Sequence, residues 1–160
     1  MKILISACLL GDAVRYDGKA KPLNHAFITR CLSEGLFIKL CPEIAGGLSV
    51  PRAAVEIDQQ SGKVITQEGK NVSLAFNNGA QAALKLIKQH NIQFALLKSN
   101  SPSCGNDKIY DGIFTNTLIE GMGITAALLS KHGVNVFNEH QLDELEQLVI
   151  KQHESNHCKY

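Results

Sequence analysis

The chain has no tryptophan, only four prolines and no block of like charge. Its 16 lysines and arginines face 15 acidic residues, a formal net charge of +1. It therefore offers neither the basic stripe that a nucleic-acid backbone requires nor a polybasic patch for an anionic membrane. No apolar run approaches the roughly 20 residues of a membrane span. Nucleic acid and membrane are thus not expected partners. What is present, 44 % hydrophobic residues at a mean hydropathy of −0.04, belongs to a globular chain and not a disordered one. At 160 residues, with no repeat, linker or low-complexity segment, one domain over 1–160 is expected.

Paired cysteines are missing too. No two of Cys8, Cys31, Cys41, Cys104 and Cys158 form a Cys-x-x-Cys pair, which removes support for a zinc ribbon, a thioredoxin-type redox pair and a bacterial ferredoxin array. An odd number of thiols in a chain of this size points to a reducing, cytoplasmic setting. Ile5-Ser6-Ala7-Cys8 has the look of a lipoprotein cleavage box. A working signal puts a basic region and roughly 7 to 15 apolar residues before the cut, more than can precede Cys8, so a strand is expected there.

Residues 2–10 are apolar and β-branched with almost no alternation, as in a strand buried on both faces of a parallel sheet. Helical spacing of Phe27, Ile28, Cys31 and Leu32 predicts a helix over 24–34, with Gly35 as its C-terminal cap and Cys31 in the core. A second strand follows at 36–40 and stops at Cys41-Pro42. Val55-Glu56-Ile57 and Val64-Ile65-Thr66 flank a Ser61-Gly62 turn and read as a peripheral hairpin. Asn71 can cap a long helix to about residue 89, and strands are predicted at 94–97 and 134–137. Helices are expected at 125–131 and 142–151, the last capped near Asn138 or His140. This alternation argues for an α/β fold, a three-layer arrangement with a mostly parallel, Rossmann-like sheet and a small hairpin outside it. His153, His157 and Cys158 can bind a metal from adjacent turns of a tail helix, since i and i+4 share a face, but a frayed, solvent-exposed terminus is expected there.

Cys8, Cys41 and Cys104 each fall at or beyond the carboxyl end of a predicted strand, before a loop with Gly or Pro. Ligand sites of open parallel sheets form at that edge, so the three thiols can converge. Three thiolates in one place repel unless a metal neutralises them, and thiolate-only ligation favours zinc or iron–sulfur. Three buried structural cysteines are the alternative at this level. Glu43 is close enough to Cys41 to act as a general acid or base, or is a solvated loop charge. Ser101 and Ser103 add hydroxyls, while Gly46, Gly47 and Gly105 allow backbone N–H groups near a ligand. Arg15-Tyr16-Asp17-Gly18 and Ile109-Tyr110-Asp111-Gly112 are turn-like segments, and Arg15 and Arg52 either bind anions or tie loops by ion pairs.

Ser6-Ala7-Cys8-Leu9-Leu10-Gly11, Arg15-Tyr16-Asp17-Gly18, Cys41-Pro42-Glu43-Ile44-Ala45-Gly46-Gly47-Leu48, Pro51-Arg52, Ser101-Pro102-Ser103-Cys104-Gly105 and Tyr110-Asp111-Gly112 come in an ordered set. That set resembles the DUF523 family, whose characterised branch is a thiouracil desulfidase, over residues 2–137. The resemblance implies a [4Fe–4S] cluster held by Cys8, Cys41 and Cys104 with one iron open to a substrate sulfur. It implies a small thiolated pyrimidine as substrate, non-redox release of sulfide, Glu43 and Ser101 as catalytic side chains, and Ser103, Arg15, Asp17, Gly46 and Gly47 around the substrate or behind the ligands. Val14 departs from the family pattern, in which many members carry a further cysteine there. The competing functional classes are a non-catalytic iron–sulfur sensor or sulfur carrier and a three-cysteine zinc hydrolase.

Overall fold

The structure, a computed structural model, describes residues 1–157, with side chains to residue 155. Its centre is a parallel sheet of four strands: β1 (Ile3–Ser6), β2 (Phe37–Leu40), β5 (Phe94–Leu96) and β8 (Asn135–Phe137), in the order β2-β1-β5-β8. Every residue of β1 is buried, because it is an inner strand covered on both faces. Ile3 and Ile5 point into one cluster with Phe27 and Cys31 of α1 (Ala26–Ser33) and Leu145 and Val149 of α5 (Leu142–His157). Leu4 points the other way, among Ala83, Leu84 and Ile87 of α3 (Ser73–His90) and Ala126 and Leu129 of α4 (Ile124–Lys131). These two clusters make the three layers that the sequence predicts. Cys31 is completely buried in the first of them. Cys158 of the tail trio lies outside the described residues.

The chain runs from β1 to β2 at the edge, then crosses to the opposite side of β1 to enter β5. The strand order therefore reverses at β1 and β5, and their carboxyl ends open a crevice there. The first strand is shorter than predicted. After Ser6 the chain turns into a 3₁₀ helix, Ala7–Leu10, closed by Gly11 at φ 101°. Ala7, Cys8 and Leu9 are buried there, so hydrophobicity alone does not separate the turn from the strand.

Around the sheet lie a short helix α2 (Pro42–Ala45) and two antiparallel hairpins, β3 (Val55–Ile57) with β4 (Val64–Thr66) and β6 (Lys108–Tyr110) with β7 (Leu118–Glu120). The second hairpin occupies what the sequence reads as a loop. Nor is the first one peripheral, since Ile57, Val64, Phe76 and Ile109 form a third buried cluster joining both hairpins to α3. Helix α2 is pressed backbone to backbone on α3: a Cβ on Gly46 would lie 1.9 Å from the Ala75 carbonyl oxygen, and one on Gly79 1.9 Å from that of Pro42. Only glycine permits this approach, and it fixes where Cys41 and Glu43 stand. Among the described residues no helix is long and apolar enough to cross a membrane.

Candidate metal centre

Because β2, β1 and β5 are neighbours, the loops beyond their carboxyl ends share one crevice. Cys8 sits in the 3₁₀ turn after β1, Cys41 precedes α2 directly after β2, and Cys104 lies in the loop after β5. All three line a single cavity of about 430 Å³, a volume suited to a small ligand. Burial pushes the Cys8 thiol up to about 11, with Cys41 next in effect. Burial likewise raises Cys41, against hydrogen bonds from nearby backbone N–H groups. Cys104 is raised furthest, first by complete burial and then, beyond the opposing Ser6 hydrogen bond, by Glu43, Cys41 and Cys8. Left to themselves the three remain thiols, and a positively charged centre bound between them is what would make them thiolates.

Two of the three sulfurs are also oriented. The Ser6 hydroxyl lies 3.4 Å from Cys104 Sγ as donor and accepts the Lys98 N–H at 3.0 Å. Cys41 Sγ reaches the Val14 carbonyl at 3.9 Å, and the same carbonyl accepts Arg52 Nη2 at 2.9 Å. Among the described residues no three His, Cys, Asp or Glu side chains are arranged to hold a metal ion. A mononuclear zinc needs all its sulfurs about 2.3 Å from one point, whereas a cluster takes each thiolate on a different iron. Three cysteine thiols with no fourth protein ligand among the described residues suit a cluster that takes each thiolate on a different iron.

Glu43 and Ser101 line the same cavity. The Glu43 carboxylate is fixed side-on by Arg52, with Nε to Oε1 at 3.4 Å and Nη2 to Oε2 at 3.3 Å. Arg52 is anchored in turn by the Val14 and Ser49 carbonyls. Ser101 Oγ accepts the N–H groups of Ser103 and Cys104, each at 3.1 Å, which holds the oxygen and leaves its proton to donate.

Other predicted residues stand elsewhere. Arg15 lines the cavity, but Asp17 does not: it faces Arg15 at 3.8 Å and accepts the Lys19 N–H, bracing its own turn. Gly46 and Gly47 do not line the cavity and offer it no donor, because their N–H groups bond the carbonyls of Pro42 and Ile44. Ser103 is wholly buried behind the wall, its hydroxyl unpartnered and its carbonyl accepting the N–H groups of Thr125 and Ala126 at the start of α4.

Sequence reasoning misses Glu56, Lys98, Asn100, Phe114 and Asn116, all in the cavity wall. Glu56 alone carries a signal, a carboxylate set between Val55 and Ile57 in a short strand. Its Oε1 accepts the N–H groups of Gly112 and Phe114 at 2.9 and 3.1 Å, so the first hairpin holds the loop of the second.

The 2-thiouracil desulfurase family model matches residues 3–141. An uncharacterised Bacillus subtilis protein, YbbK, is 37 % identical over 154 residues, covering 89 % of this chain and 99 % of the relative. The solved structure of a [4Fe–4S]-dependent thiouracil desulfidase, TudS, superposes with a TM-score of 0.89 at 45 % identity, covering 92 % of this chain and 97 % of the other.

Proposed function

We infer, from the premise that this chain belongs to the 2-thiouracil desulfurase family, that it is an enzyme cleaving the C–S bond of a thiolated pyrimidine such as 2-thiouracil. Cys8, Cys41 and Cys104 hold a [4Fe–4S] cluster, as the cofactor named for the superposing desulfidase supports. The observation that carries the reading is the convergence of these three thiols with Glu43 and Ser101 in one cavity at the sheet's switch point. When bound, the cluster supplies a thiophilic, Lewis-acidic iron for the substrate sulfur.

The overall change is hydrolysis: thiouracil and water give uracil and hydrogen sulfide, with no net electron transfer. Glu43 is placed to accept a proton from the water that adds at the thiocarbonyl carbon and to return it as sulfur departs. Arg52 keeps that carboxylate turned into the cavity. Ser101, with its oxygen held by two N–H groups, donates its proton to a ring atom of the substrate and orients it.

Anaerobic reconstitution followed by iron and acid-labile sulfide counts, an absorption spectrum and a sulfide-release assay with 2-thiouracil tests this directly. About four irons per chain together with uracil and sulfide in equal amounts is the expected result. A filled cluster with no release from any thiolated pyrimidine would leave a sensor or carrier instead. Glu43→Ala should keep its iron and lose about 10²- to 10⁴-fold in turnover, the usual worth of a general acid–base group.

A further inference from the structure

The three cations in the cavity wall all have carboxylate partners. Arg15 faces Asp17 at 3.8 Å, Arg52 faces Glu43 at 3.3 Å and Lys98 faces Glu139 at 2.5 Å. None waits for a phosphate, so recognition of a ligand falls to neutral polar groups. Among the described residues, the wall carboxamides of Gln67, Asn100 and Asn116 have no hydrogen-bond partner, and of these three only the asparagines depart from ordinary backbone.

Both asparagines have left-handed backbone, at φ 62° and 57°, and so does Phe114 at φ 57°. Asn91 shares that conformation for an ordinary reason: it ends α3, its N–H bonding the Ile87 carbonyl. Asn100 and Asn116 end no helix. For a bulky residue such as Phe114 the left-handed region is a true outlier, and such strain persists only where neighbours impose it. Here the buried Glu56 carboxylate imposes it through the N–H groups of Gly112 and Phe114. Phe114 and Asn116 of the loop so held both line the cavity.

We propose that Asn100 and Asn116 recognise the N3–H and C4=O edge of a free, uncharged thiolated pyrimidine, with the rings of Phe114 and Tyr110 against its face. The proposal rests on the desulfuration reading and deepens it to a substrate class and its specificity residues. That edge offers a donor and an acceptor side by side, and a carboxamide returns an acceptor and a donor at matching spacing, as it does to adenine. A ribose phosphate on the ring would bring negative charge to a wall without a free cation. The free base is therefore favoured over its nucleotide.

The test uses the anaerobically reconstituted protein and its Asn100→Gly, Asn116→Gly and double variants. Glycine keeps the left-handed backbone and deletes only the carboxamide. Asn100→Asp and Asn116→Asp, which keep the shape and replace the donor, stand in if a glycine variant fails to fold. With 2-thiouracil, the double variant should lose about 10- to 100-fold in kcat/KM, mostly through KM, at unchanged iron content. N3-methyl-2-thiouracil should suffer a similar loss with the parent and none further with the variant. A variant that still discriminates the two pyrimidines as the parent does overturns the assignment, as does a parent that prefers 2-thiouridine monophosphate to the base. Ligand-observed NMR with uracil on the same samples separates the two levels. Asparagine-dependent uracil binding without sulfide release keeps the recognition and overturns the desulfuration, while binding indifferent to the asparagines overturns the recognition.

Discussion

The cavity has two walls of different origin. One is made by the ends of parallel strands and carries Cys8, Cys41 and Cys104; the other is made by two hairpins and carries Glu56, Tyr110, Phe114 and Asn116. The strand wall is rooted in the two large clusters that cover the sheet, the hairpin wall in a small third one. Such a division lets the sheet hold the chemistry in place while short hairpins set what may enter, since a hairpin loop can change without disturbing strand ends. The division yields sharp expectations.

The largest effect belongs to the strand wall. Cys8→Ser, Cys41→Ser and Cys104→Ser should each abolish iron retention and sulfide release together, because a neutral hydroxyl does not replace a thiolate ligand. Cys31→Ser is the control: Cys31 is completely buried in the α1 core and away from the cavity, so the variant should keep its iron and most of its activity. Iron and labile-sulfide counts on the four proteins decide it. A Cys104→Ser protein with a full cluster would remove that residue from the ligand set.

The hairpin wall should break differently. Glu56→Gln leaves one carboxamide oxygen to do what the carboxylate does for the N–H groups of Gly112 and Phe114, with weaker bonds to a neutral acceptor. The loop that it pins should loosen, raising KM for 2-thiouracil about tenfold, the worth of roughly one charge-assisted hydrogen bond, while the iron count stays at the parent value. Loss of iron along with the rise in KM would mean that the two walls are one unit.

The two walls were not equally legible in the sequence. Strand ends follow from apolar runs and their breaks, and once β1, β2 and β5 are neighbours the cysteines beyond them must meet, so Cys8, Cys41 and Cys104 can be named from position together with the family resemblance. Glu43 and Ser101 come with them as neighbours in the chain. Asn100, Phe114 and Asn116 do not: a left-handed backbone leaves no local pattern, and at Phe114 it goes with a carboxylate more than fifty residues away. Strands of three residues, as in β6 and β7, are too short for alternation to register. Gly46 and Gly47 lie outside the cavity lining for a related reason. They answer to the contact of α2 with α3 and to the helix's own hydrogen bonds, and sequence cannot tell a close approach to a helix from a close approach to a ligand.

The smallest expected effect lies beneath the strand wall, at Glu139. Burial alone would push its carboxyl up, but hydrogen bonds from the Lys98 ammonium and from the Ser99 N–H and hydroxyl outweigh it, and the group is held below its ordinary value of 4.5. A carboxyl with a depressed folded pKa stabilises the fold fully above its unfolded value, and that contribution is lost as pH falls through the folded one. Acid should therefore cost the parent more than Glu139→Gln, whose amide has no proton to take up in that range. Thermal melts between pH 6 and pH 3, pH values of our choosing on the order set by carboxylate titration, should show the parent ahead near neutrality and the two converging by about 2–5 °C at the acid end. If Glu139→Gln matches the parent throughout, the Lys98 pair contributes nothing to stability, and the strand wall owes its firmness to the apolar clusters alone.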